Sequence, residues 1–153
     1  MSKVQSRFHP SLLTLLRQIK FSSLGFFFVS FIIPIIAYLN LEASGFQVGL
    51  LISIQVFGVM LCSPFAGHLA NRRALRPQLA ATGSFGRMLS YLIIYGAIIL
   101  ENYWLMLFGT FALGFSAGFF WAPLRAIVSD STEYCFRSEA FGIFNQQIGL
   151  GTF

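Results

Sequence analysis

The stretch from Ala43 to Ala66 holds no charged side chain, and a second run, Leu79 to Leu100, holds only Arg87. Runs like these constrain the fold more than any other feature. A helix packed on a soluble core keeps a polar face toward water, and these runs have none. Each reaches or exceeds the roughly 20 residues that a membrane-spanning helix needs. Composition agrees, with 56% of the 153 residues hydrophobic, 19 of them Phe, and 10% charged. A soluble domain carries about a quarter charged residues. Without water inside the bilayer, every backbone group must be satisfied within its own segment. The expected class is therefore an all-α integral membrane protein, a polytopic helical bundle.

Taken in order, the chain opens on a basic lead, residues 1–20, with Lys3, Arg7, Arg17 and Lys20. Pro10 followed by Leu12, Leu15, Leu16 and Ile19 fits one face of a short helix, either leading into the first span or lying on the membrane surface. The apolar run after it exceeds a signal-peptide core and ends on no small-residue cleavage site, so it belongs to the mature chain. The spacing predicts spans over about 21–39, with Pro34 as a kink, 46–66, 79–100 and 103–124. Short turns with Glu42 and with Glu101 separate the first from the second and the third from the fourth. Ser138 reads as an N-cap, with Glu139 in the first turn, of a fifth segment at 140–153. That segment is too short to cross about 30 Å of hydrocarbon, and the chain is expected to break off within a longer helix.

The net charge of +5 would suit nucleic acid, but its position excludes that partner. All ten Lys and Arg lie in the lead, in the basic stretches 67–77 and 125–137, or in helices joined to them. The Glu42 and Glu101 turns contain no basic residue. Membrane proteins keep such clusters in the cytoplasm, which predicts an N-terminus inside a cell membrane. Cys62 and Cys135 have neither disulfide-framework nor metal-ligand spacing, and His9 and His68 stand far apart. No cofactor, metal or catalytic constellation is expected, and the chain does not read as an enzyme.

The basic stretch Gly67-His68-Leu69-Ala70-Asn71-Arg72-Arg73-Ala74-Leu75-Arg76-Pro77 resembles the loop between helices 2 and 3 of the major facilitator superfamily, Gly-x-Leu-Ala-Asp-Arg-x-Gly-Arg-Arg. Gly67, Leu69, Ala70, Arg72 and Arg76 match, while Asn71 replaces the acid, Ala74 the second glycine and Leu75 an arginine. The likeness extends over most of the chain. Gly45 to Ser53 resembles the start of the second helix, Gly114 to Gly118 with Pro123 and Asp130 the fourth, and Arg137 to Gly142 with Gly149 and Gly151 the fifth. The arginine that family members often carry before the first glycine of helix four is absent from Phe108 to Phe111. The resemblance implies the N-terminal part of a secondary transporter whose missing C-terminal half is its partner. Such a protein moves a small solute across the lipid bilayer by rocking two halves about a midplane site. It also implies a gate in which Arg72 or Arg76 pairs with Asp130. The other reading of these arginines is that they set topology and bind anionic lipid headgroups.

Arg87 is the one charge deep in a predicted span. There it costs at least about 2.5 kcal/mol unless paired or hydrated. It is either a contact for an anionic or polar solute or a snorkelling structural arginine. Gln55 is a weaker cavity-lining candidate, with interhelical packing as its other role. Gly45-x-x-x-Gly49 and Gly114-x-x-x-Gly118 are expected to let helices approach closely. No carboxylate falls in the first four spans, so a proton-coupling acid would have to lie elsewhere. The rival to transport is a truncated membrane protein acting only as an assembly partner.

Overall fold

The computed structural model describes residues 10–130 and 137–150, and no strand occurs among the described residues. Among the described residues, five helices follow one another: α1 (Pro10–Asn40), α2 (Gly45–Ala70), α3 (Arg76–Ile99), α4 (Tyr103–Asp130) and α5 (Arg137–Leu150). A 3-10 turn, Arg73–Leu75, links α2 to α3.

The helices extend past the apolar runs. Pro10, whose fixed φ suits a first helical turn, opens α1, which then passes Lys20 and Pro34 without interruption. The basic stretch is less of a loop than expected, because Gly67–Ala70 completes α2 and Arg76 and Pro77 already belong to α3. Ser138 is a second correction, standing inside α5 and not before it.

The turns carrying Glu42 and Glu101 share a construction. Both glutamates adopt left-handed backbone, with φ of 49° and 48°. In each turn the next backbone N–H reaches back into the helix just ended, Ala43 to the Ala37 carbonyl and Asn102 to the Ala97 carbonyl. A polar cap then opens the following helix. Ser44 Oγ accepts from Gln47 N, and Gln47 Oε1 accepts from Ser44 N at 2.8 Å. Asn102 Oδ1 accepts from Leu105 N at 3.2 Å.

Two compact units divide the chain, residues 32–126 and residues 1–31 with 127–153. Within the second, Ser23 Oγ donates to the Ile19 carbonyl, and the rings of Phe141 and Phe144 meet edge to face. Within the first, small residues decide the packing. A β-carbon on Gly58 would stand 2.7 Å from the Phe111 carbonyl, and one on Gly118 2.8 Å from Cys62 Cβ. These contacts bring α2 onto α4. On another side of α4, a β-carbon on Gly83 of α3 would stand 2.6 Å from Phe120 N, and one on Gly86 2.8 Å from Ser116 Cβ. Tyr103 Oη also donates to the Gln47 carbonyl at 2.9 Å, fixing the start of α4 beside the start of α2.

The outward faces fit hydrocarbon. Ile52, Val56, Phe57, Met60, Leu61 and Phe65 of α2 are exposed, as are Phe85, Met88, Leu89 and Leu92 of α3. Hydroxyls in the helices donate to carbonyls three or four residues back, among them Ser53 to Gly49, Ser63 to Val59, Ser84 to Ala80 and Thr110 to Met106. Such bonds satisfy donors where there is no water. Among the described residues, Ile19–Asn40, Gly45–Ala70 and Tyr103–Asp130 are long and apolar enough to cross a membrane. The 24-residue α3 is long enough but carries Arg87, Thr82, Ser84 and Ser90. The chain is a polytopic helical membrane protein.

Candidate functional site

Arg87 lies midway along α3, between Arg76 and Ile99. At about 1.5 Å per residue, some 16–18 Å of helix extends on either side of it. Its guanidinium carbon lies over the ring of Phe120 on α4, 3.9 Å from the centroid. Both residues are half-buried. The seat is built by backbone approach, since Gly83, one turn before Arg87, lets α3 touch the peptide of Phe119 and Phe120. Gly86 lets α3 approach the Ser116 side chain. Tyr91, also half-buried, follows one turn later on the Arg87 face. Sequence reasoning singled out Arg87 but missed Phe120, Gly83 and Gly86. The only available signal was the small-residue spacing of Gly83 and Gly86, which does not name a partner.

A second group surrounds the α2–α3 turn. Arg76 is buried, 9% exposed, and its Nε donates to the Ala70 carbonyl at 2.7 Å. Its Nη1 reaches the Ala126 carbonyl of α4 at 3.5 Å. A cation at these two C-terminal turns meets the negative ends of both helix dipoles. Asn71 and Arg72 are exposed, and the Asn71 backbone N–H closes α2 onto the His68 and Leu69 carbonyls. Gly67 is exposed, with open space where a β-carbon would stand. Asp130, also exposed, is the last residue of α4 and belongs to the other compact unit.

The remaining singled-out residues fall on the α2–α4 contact or beside it. Gly114 presses on the backbone of Gln55, so closely that a β-carbon would collide with the Gln55 carbonyl. Pro123 is fully buried within α4. Gly45 and Gly49 correct the expectation of close packing, because neither has a heavy atom within 4 Å of where a β-carbon would be. No group of three potential metal ligands occurs among the described residues.

The Major Facilitator Superfamily family model matches residues 21–153. Comparison with curated proteins and with solved structures gives no match.

Proposed function

Since this chain belongs to the major facilitator superfamily, we propose that it is the N-terminal part of a secondary transporter that moves a small solute across a cell membrane by alternating access. Members of the family are transporters and not enzymes. One observation carries the reading beyond the family: a single arginine, Arg87, held at the centre of an apolar helix against Phe120. A charge is costly there, and in membrane bundles such charges belong to solute or ion paths.

In this reading Arg87 contacts an anionic or polar solute, and Gln55 is a weaker second contact. The N-terminus and the α2–α3 turn face the cytoplasm, where their basic residues belong. The turn serves as the gate. Arg76, bonded to two helix-end carbonyls, is its fixed part, and exposed Arg72 is the side chain that changes partners as the cavity opens.

The test is uptake of a solute panel by proteoliposomes holding the complete protein, with vesicles holding residues 1–153 alone and empty vesicles as controls. Saturable uptake by the complete protein, absent from both controls, is expected. Absence of uptake and of exchange with the complete protein would sink the proposal and favour an assembly role.

A further inference from the structure

We infer that the outward face of α2, with the turn after it, is a binding site for one anionic phospholipid. Arg72 and His68 hold the phosphate, and Phe65, Leu61 and Phe57 run beside an acyl chain. The site is independent of transport. Phe57, Leu61, Phe65 and His68 follow one another at about one turn each along α2, and all four are exposed. Leu69, beside His68, is exposed as well. Arg72 stays wound onto the helix end, its N–H donating to the Leu69 carbonyl at 3.1 Å, and its side chain is exposed. The ridge is therefore apolar along its length and basic at its end. About 16 Å of helix separates Phe57 from His68, close to half of the roughly 30 Å hydrocarbon core, which is the depth of one leaflet.

A helix C-terminus ordinarily repels an anion, because its last carbonyls carry partial negative charge. The end of α2 is already satisfied. Arg76 Nε donates to the Ala70 carbonyl at 2.7 Å, and the Asn71 N–H closes onto the His68 and Leu69 carbonyls. The sequence around the turn also brings no competing acid, since position 71 is Asn and no Asp or Glu occurs between Ala43 and Leu100. The forked guanidinium of Arg72 matches two phosphate oxygens, and a headgroup with net negative charge complements it. Phosphatidylcholine brings a quaternary ammonium to the same place, which offsets its phosphate. A second copy packed alongside in the same orientation sets arginine against arginine. An anionic phospholipid answers both the basic end and the apolar length of the ridge.

Native mass spectrometry tests the site. Purified chain in mild detergent is given phosphatidylglycerol and phosphatidylcholine in equal amounts, and the lipid retained on each molecule is counted. The parent should hold one phosphatidylglycerol about fivefold or more in preference to phosphatidylcholine, as one arginine at headgroup level would provide. Arg72→Gln should erase the preference, and Phe65→Ala should lower retention of phosphatidylglycerol about threefold or more. Both side chains are exposed, so neither change disturbs the packing of the helices. Arg125→Gln removes an exposed charge late in α4 and should change neither quantity. Equal retention of the two lipids by the parent, or an equal loss in Arg125→Gln and Arg72→Gln, would overturn the site. Retention unchanged in Phe65→Ala would overturn it too, leaving only charge attraction. Displacement of the lipid by inorganic phosphate would assign the turn to a free anion and overturn the lipid. A parent that retains no lipid and runs as a dimer, dissociated by Phe65→Ala, would give the face to a second copy and likewise overturn it.

Discussion

Arg76 Nε donates to the Ala70 carbonyl at 2.7 Å, so the residue that opens α3 also closes α2. Its second bond, to the Ala126 carbonyl, adds the last turns of α4 to the same knot. Removing the side chain leaves helix-end carbonyls without their donor at a buried position. Arg76→Leu should therefore cost about 1.5–3 kcal/mol of stability, the range for a bond to a charged group. Arg76→Lys should recover part of it, because an ammonium keeps the charge but not the fork. Denaturant titration of the purified chain in mild detergent measures both, and an Arg76→Leu midpoint equal to the parent's would contradict the knot.

Glycines at α4 should respond unlike glycines elsewhere. Gly83→Ala sets a β-carbon against the Phe120 backbone, and Gly114→Ala sets one against the Gln55 carbonyl. Neither obstacle is a flexible side chain, so the helices must separate, at a cost of about 1–3 kcal/mol typical of overpacking. Gly67→Ala and Gly49→Ala meet open space and sit in helices, where alanine is favoured by up to about 1 kcal/mol. The same titration ranks the four variants. Equal losses at all four positions would mean that the α2–α4 and α3–α4 contacts do not hold the bundle.

The apolar runs announced the helices because a bilayer leaves the backbone few alternatives. Their ends were harder to read. Gly67 to Ala70 and Arg76 look like loop by charge, yet both are helical, since Arg76 is satisfied by carbonyls 6 and 50 residues away in sequence. Glycine spacing was half informative. The pairs at 45 and 49 and at 114 and 118 share one pattern, but only the second has a helix against it. Arg87 was legible because a lone charge in an apolar run has to be explained. Phe120 was not, because it is one of 19 phenylalanines and only the contact distinguishes it.

Glu101 holds φ at 48°, a conformation that costs a residue with a β-carbon about 1 kcal/mol or more. Glycine has no such penalty, though it loses more chain entropy on folding. Glu101→Gly should therefore stabilise the chain by up to about 1 kcal/mol, whereas Glu101→Val, branched at the β-carbon, should destabilise it. Glu42→Gly should behave alike, its φ being 49°. Unfolding midpoints check the pair, and a loss of stability in both glycine variants would show that the carboxylates themselves contribute to the turns.

The proposed orientation predicts which turns an impermeant thiol reagent reaches. With Cys62 and Cys135 replaced by serine, Asn40→Cys should be labelled from outside intact cells, and Asn71→Cys only after permeabilisation. Both positions are exposed, so access and not burial decides the outcome. Labelling of Asn71→Cys in intact cells would reverse the topology.

Arg87 separates insertion from function. Leucine at position 87 removes a membrane cost of at least about 2.5 kcal/mol, so Arg87→Leu should insert as well as the parent or better. If the guanidinium is the solute's contact, the same change should abolish affinity in the complete protein. Arg87→Lys keeps the charge but loses the planar fork and much of its stacking on Phe120, and should weaken binding about tenfold or more. Arg73→Gln is the control, since the same turn retains Arg72 and Arg76. Solute affinity and membrane yield are to be measured together for each variant. Yield maintained with affinity lost would mark Arg87 as a binding residue, whereas parental affinity in Arg87→Leu would reduce it to a structural arginine and move the solute contact elsewhere.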